Sequence, residues 1–156
     1  MNAPVVELLQ QIRDRGHDVW EAGPAKPSAV QQLEKELAKK LPPSYKAFLL
    51  TYGAITIYDN TISGIIAGDQ IRGSCGCVLN DTEVLSRDAQ LPEGFLVVGP
   101  HEDGAYCLDF NRQRADGECP VVNFERHSIQ HEDPVAGTFE EWLIKWQLQG
   151  WAEEAA

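Results

Sequence analysis

No stretch of the 156-residue chain approaches the roughly 18 consecutive apolar residues that a membrane-crossing helix needs, so no membrane partner is expected. The sequence also lacks the G-x-S-x-G nucleophile elbow, the phosphate-cradling P-loop, the dinucleotide-binding G-x-G-x-x-G and the zinc-protease H-E-x-x-H. His101-Glu102 begins like the last of these, but Ala105 stands where the second histidine must be and a glycine turn replaces the helix. The opening MNAPVVELLQQIRDRG has neither the basic segment nor the apolar core and small-residue cleavage site of a secretory leader, which makes a cytoplasmic protein the expectation. Cysteines are few, at positions 75, 77, 107 and 119. A chain of this size buries roughly 70% of its unfolded surface without staples, so free thiols in a reducing compartment are expected. Positive charge is the scarcest commodity: 13 Lys and Arg face 24 Asp and Glu, and the net of −11 disfavours direct binding to nucleic acid.

What is present is a globular balance, 43% hydrophobic and 24% charged, expected to form one domain over residues 1–156. The charge is uneven. Residues 1–50 carry seven basic and six acidic side chains, a net of +1, whereas residues 51–156 carry six basic and eighteen acidic, a net of −12. Solubility alone accounts for an acidic surface, and so does a cationic partner.

Residues 1–53 carry helical periodicity. Val5, Val6, Leu8, Leu9 and Ile12 recur at helical spacing, with Gly16 placed to end the helix. After Pro27, Ser28 and Gln31 fit a capping box, and Val30, Leu33, Leu37 and Leu41 form a second stripe that Pro42-Pro43 should stop. In PSYKAFLLTYG, Tyr45, Phe48, Leu49 and Tyr52 face the core and Gly53 is the stop. From about 54 to 126 the period falls to two, predicting an antiparallel sheet. AITIY, TISGIIAG and CVLNDTEVL are its early strands, with Gly64 and Gly68 as bulges or turns. GFLVVG, AYCLDF and PVVNFER form a meander around Asp103-Gly104 and Asp116-Gly117. A final helix, about 138–149, is capped by Thr138 with Glu141, carries Phe139, Trp142, Leu143 and Trp146 toward the core, and ends at Gly150. The following WAEEAA frays unless Trp151 packs back. The class is α+β: N-terminal helices, a central antiparallel sheet with a C-terminal meander, and a C-terminal helix on the core.

HEDGAYCLDF, residues 101–110, gathers a histidine, three carboxylates and a thiol. Alternation nevertheless sends Tyr106, Leu108 and Phe110 to one face and Cys107 and Asp109 to the other, while Glu102, Asp103 and Gly104 build the turn. A structural role accounts for all of them. Cys107 beside His101 has nothing that marks an activated thiolate. A Cys/His metal site drawing on Cys75, Cys77, Cys107, Cys119 and the histidines is the further alternative. Structural zinc favours C-x₂₋₄-C spacing, whereas Cys75 and Cys77 are one residue apart on a shared strand face, and His127 and His131 lie in a polar loop before Pro134.

Several motifs in this order resemble the SUKH superfamily, also called the Smi/Knr-like family. They are Leu33-Glu34 on a helix, then Leu41-Pro42, Ser44-Tyr45, Phe48-Leu49 and Gly53; a hairpin with Asp103-Gly104, Tyr106 and Leu108-Asp109; Pro120-Val121-Val122 on the next strand; and a helix over Thr138 to Leu143. The family often places asparagine before the glycine that here follows Tyr52. The resemblance implies an α+β domain without enzymatic activity and without a cofactor. Most bacterial members look like immunity proteins that neutralise toxins, many of them nucleases, and fungal members act as regulatory interaction hubs.

The expected partner is therefore a cognate protein toxin, with a basic nuclease domain as the candidate, met through an acidic surface that steers association and mimics a polyanion. The candidate contact residues are the carboxylates of the expected turns in the sheet half, Asp59, Asp69, Asp81, Glu83, Glu102 and Asp103, with Tyr58 as an aromatic anchor. Trp20 is a second aromatic candidate, equally suited to covering the helices.

Overall fold

The computed structural model describes residues 3–66, 70–127 and 133–156. In chain order the elements are α1 (Ala3–Asp14), β1 (Val19–Glu21), α2 (Pro27–Leu37), α3 (Pro43–Tyr52), β2 (Ile55–Ile57), β3 (Asn60–Ile62) and α4 (Val78–Ala89). There follow β4 (Phe95–His101), β5 (Gly104–Asp109), a 3₁₀ turn (Phe110–Arg112), β6 (Val121–Glu125), β7 (Pro134–Ala136), α5 (Phe139–Trp142), a π-helical segment (Leu143–Leu148) and α6 (Gln149–Glu153). The class is α+β, as the periodicities imply.

Two antiparallel sheets replace the single expected one, with strand orders β1-β2-β3 and β4-β5-β6-β7. They meet edge to edge, where Ser63 N–H donates to Val98 O (2.9 Å). β1 lies within the segment read as wholly helical. Its three residues VWE pair with β2 and are too short to show a period of their own. The meander is as expected, β5 pairing with β4 on one side and β6 on the other, with Asp103-Gly104 at the hairpin tip.

The largest departure is CVLNDTEVL, which is a helix and not a strand. Val78, Leu79 and Leu85 are its buried stripe, and Asp81 sits in its first turn, where a carboxylate complements the helix dipole. The adjacent apolar pair Val78-Leu79 resembles the start of a strand, but the next buried position lies six residues on. α4 covers one face of the second sheet, giving a small core of Leu85, Leu91, Val97, Ala105, Cys107, Val122 and Phe124. The opposite face, with Leu96, Val98, Leu108 and Val121, joins the main core beneath α1, α2, α3 and the C-terminal helix. Cys107 and Asp109, assigned to the face away from the aromatics, are therefore buried as well.

Helix ends follow local chemistry. Gly16 (φ +90°) closes α1, with Gly16 N–H bonded to Arg13 O and His17 N–H to Ile12 O. α2 does not use the expected box. Pro27 already occupies the first helical position, so Lys26 is the N-cap, without a side-chain bond, and Ser28 lies inside the first turn. It ends at Leu37 through the left-handed Ala38 (φ +52°), before the prolines. At the far end, Thr138 Oγ1 accepts from Glu141 N–H (3.1 Å) as expected, while the Glu141 carboxylate reaches back to Gly137 N–H (3.1 Å). The helix does not stop at Gly150. It continues to Glu153, and the tail packs back: Ala156 N–H donates to Arg15 O, and Trp151 meets the buried His17 ring.

Candidate functional site

Glu34, Ser44, Tyr45, Gly53 and Asp109 of the recurring motifs prove to be structural. Glu34 Oε2 accepts Leu41 N–H (2.8 Å) and fixes the loop that brings Pro42 to the start of α3. Pro42 has no side chain to cap that helix, so Glu118 does it from 74 residues away, accepting Ser44 Oγ (2.8 Å) and Ser44 N–H (3.3 Å). Tyr45 is fully buried and donates its phenol to Ser63 O (2.8 Å). Burial, followed by the charge of Asp81, pushes that phenol well above its ordinary pKa. Gly53 (φ +73°) lies where three segments cross: a β-carbon there would strike Gly23 O and Ile65 O, and one on Gly64 would overlap the Gly53 carbonyl. Asp109 is buried and accepts Asn111 N–H (2.9 Å) and Arg112 Nε (2.8 Å).

The candidate acids fall into two groups. Asp81 faces inward, accepting Ser63 Oγ (2.6 Å), Gly76 N–H (3.1 Å) and Asn80 Nδ2 (3.4 Å). Glu83 lies on α4, paired with Arg72 (2.9 Å), which also reaches Glu36 on α2 (3.4 Å). Both sit on a helix, not in turns. Asp69 lies outside the described residues. Asp59, in the β2–β3 turn, and Glu102 and Asp103, at the β4–β5 tip, are exposed and form no ion pair among the described residues.

The two turns holding these free acids are connected by the C-terminal helix. Over Leu143–Leu148 its hydrogen bonds span five residues rather than four, which widens the turn and shifts the buried stripe. Phe139, Trp142 and Leu143 are buried as the α-period demands, but the next buried positions are Gln147, Leu148 and Ala152. Trp146, expected in the core, is 51% exposed. Gln147 takes its place and accepts Asn60 Nδ2 (2.8 Å) from β3. On one side of that bond the Trp146 ring meets Tyr106 (6.0 Å between centroids), which in turn meets His101 (5.2 Å). On the other side Trp151 meets Tyr58 (5.4 Å), itself 52% exposed and held at φ +55°.

The result is an aromatic and amide seam along the helix, with Asp59 at one end and Glu102 and Asp103 at the other. Glu125 belongs to the second end: its Oε1 accepts Asn123 Nδ2 (3.1 Å), and its charge, after burial, helps raise the Tyr106 phenol pKa. Asn123 Oδ1 and His101 Nε2 are 2.7 Å apart. Trp20 lies elsewhere. Its register partners on the first sheet are Thr56 and then Thr61, whereas Asn60, which faces the helix, alternates with Thr61.

The cysteines do not converge. Cys75 is exposed, Cys77 is buried at the start of α4, and the two lie in a turn and not on a strand. Burial pushes the Cys107 thiol far above the ordinary range, and burial with the charge of Asp109 pushes Cys119 up to about 12, so both stay protonated. Among the described residues no group of three or more His, Cys, Asp and Glu side chains is placed to hold a metal ion. His131 lies outside those residues. Among them too, no helix is long and apolar enough to cross a membrane.

A family model described as SMI1-KNR4 cell-wall, SUKH_5, matches residues 5–147. The chain belongs to the SUKH family. This SUKH chain is also 26% identical over 95 residues to the uncharacterised protein YnaB of Bacillus subtilis (strain 168), a match covering 58% of the chain and 54% of YnaB. The chain thus spans about half the length of that curated relative.

Sequence reasoning named Asp59, Glu102 and Asp103 through turn composition and Tyr58 as an aromatic flanked by polar residues. It missed Trp146, Gln147, Asn60, Asn123 and Glu125. The available signal was Gln147, a polar residue next to the apolar helical stripe; a stripe read at 3.6 residues per turn leaves it outside.

Proposed function

We propose that this SUKH chain is a non-enzymatic protein-binding domain that neutralises a cognate toxin of the nuclease class by presenting an acidic surface to it. The observation that carries this reading is the division of labour among its polar side chains. Among the polar members of the family motifs, Glu34, Ser44, Tyr45 and Asp109 spend their side chains on loop bonds, caps and buried bonds. The carboxylates Asp59, Glu102, Asp103 and Glu125, none of them in an ion pair among the described residues, stand on exposed turns and at a strand end. A nuclease must concentrate cationic residues to hold phosphates, so a surface of fixed carboxylates competes for the same groups and speeds encounter at low salt. The buried, protonated thiols and the absence of an activated nucleophile motif support inertness.

A regulatory interaction module is the second reading, favoured by the cell-wall description of the matching family. The deciding experiment is affinity purification with the protein encoded beside this gene, followed by measurement of association rate against salt. A basic toxin domain that co-purifies, is inhibited, and binds more slowly as ionic strength rises supports neutralisation. Capture of a host regulatory protein instead supports the second reading. Turnover of a small substrate by the purified chain alone overturns both.

A further inference from the structure

The π-helical segment rotates a tryptophan out of the core and seats a glutamine there instead. An α-helical continuation would have buried an indole, a gain of about 2 kcal/mol that the chain forgoes. Single π turns inside α-helices are frequent at functional sites, and this one re-aims a side chain. Gln147, bonded to Asn60, then ties the helix to the β2–β3 turn, so Trp146 and Tyr58 are displayed from a fixed frame and not from a mobile loop.

From this we infer that the seam bearing Trp146 and Tyr58 is the docking surface for an arginine-bearing basic segment of a partner polypeptide, with guanidinium groups stacked on the two exposed rings and paired with the carboxylates at the seam's ends. The inference rests on the protein-binding reading above and adds to it the place and the chemistry of the contact.

Charge complementarity selects the occupant. Asp59 adjoins Tyr58, Glu102 and Asp103 adjoin His101, and Glu125 lies close enough to Tyr106 to act on its phenol. The cations nearest in sequence are Lys145, which is occupied by Glu141 (3.4 Å), and Arg126, which follows Glu125 on the exposed rim. A guanidinium fits such a site better than an ammonium, because it is planar, stacks on an aromatic face and still offers in-plane donors to a carboxylate. Apolar segments would leave the four acids desolvated and unpaired.

The test uses the whole chain with two synthetic probes, nona-arginine and nona-lysine, at about 0.15 M salt. The indole N–H resonances of the four tryptophans are followed by NMR and affinity by calorimetry. Nona-arginine should bind several-fold more tightly than nona-lysine and shift the Trp146 indole signal while leaving that of Trp20 in place. Trp146→Ala should weaken nona-arginine binding about three- to thirty-fold, and Trp20→Ala should leave it unchanged. The wild-type NMR arm needs no variant, so it stands even if Trp146→Ala perturbs folding. Equal binding of the two peptides with no response at Trp146, equal loss in both tryptophan variants, or no binding of nona-arginine would each overturn the proposal. A toxin neutralised equally well by wild type and by the Trp146→Ala, Tyr58→Ala double variant removes this surface but leaves the protein-binding reading. Failure of any toxin to associate with wild type removes that reading itself.

Discussion

Asp81 and Asp59 are both aspartates of the acidic part of the sequence, yet they do opposite work. Around Asp81 the polar groups bond to one another: Ser63 alone donates its hydroxyl to that carboxylate and its amide to Val98 O, and accepts the Tyr45 phenol at its carbonyl. Along the C-terminal helix, by contrast, indole and phenol rings stand half out of the protein and the neighbouring carboxylates form no ion pair among the described residues. A region whose hydrogen bonds are all internal resists substitution and recognises nothing. One with rigid rings and unpaired charge adds little stability and is free to bind. Net charge alone does not separate the two.

The sharpest way to break this contrast is Gly64→Ala. The new methyl would overlap the Gly53 carbonyl, where backbone cannot yield, so the expected loss is about 3 kcal/mol or more, read as a fall in the urea midpoint. Next comes Asp81→Ala, which strips partners from the Ser63 hydroxyl and the Gly76 amide; a loss of about 2–3 kcal/mol is expected in the same measurement. Tyr45→Phe removes only the phenol bond to the buried Ser63 carbonyl and should cost about 1–2 kcal/mol. Replacing Asp59, Glu102 and Asp103 together by amides should move stability by no more than about 0.5 kcal/mol per site. The same triple variant should slow toxin association and flatten its dependence on salt. A triple variant as damaging to stability as Asp81→Ala would collapse the distinction.

The smallest expected effect concerns pH. Gly137 N–H, with help from Lys145, holds the Glu141 carboxyl below its ordinary value. The unfolded chain therefore binds this proton more readily, and the contribution is complete above about pH 4.5 and fades as pH falls through the folded value. With the side chain 42% exposed it amounts to at most about 0.5 kcal/mol, visible as a shallower acid limb of the stability curve in Glu141→Gln.

Much of the architecture was legible because strong periodicity and turn chemistry agree with tertiary packing: the stripes of α1 and α3, the Asp103-Gly104 hairpin and the Thr138 cap all form as read. The failures share a cause. α4, β1 and the π turn are settled by long-range contacts that no local window contains: the sheet face that α4 covers, the strand that pairs with VWE, and the Asn60 amide that draws Gln147 inward. The seam was half visible for the same reason. Turn residues announce themselves, whereas a tryptophan turned outward by a change of helical pitch looks like core until its neighbours are in place.

The outermost strands of the two sheets, β1 and β7, are only three residues long, and β7 begins with Pro134, which has no amide hydrogen to donate. Ribbons so brief make poor templates for zipping on another chain's backbone, which guards against runaway stacking into fibrils. Side-chain contacts are accordingly the expected means of holding another molecule, a chemistry that single-residue changes can retune across generations without disturbing the scaffold.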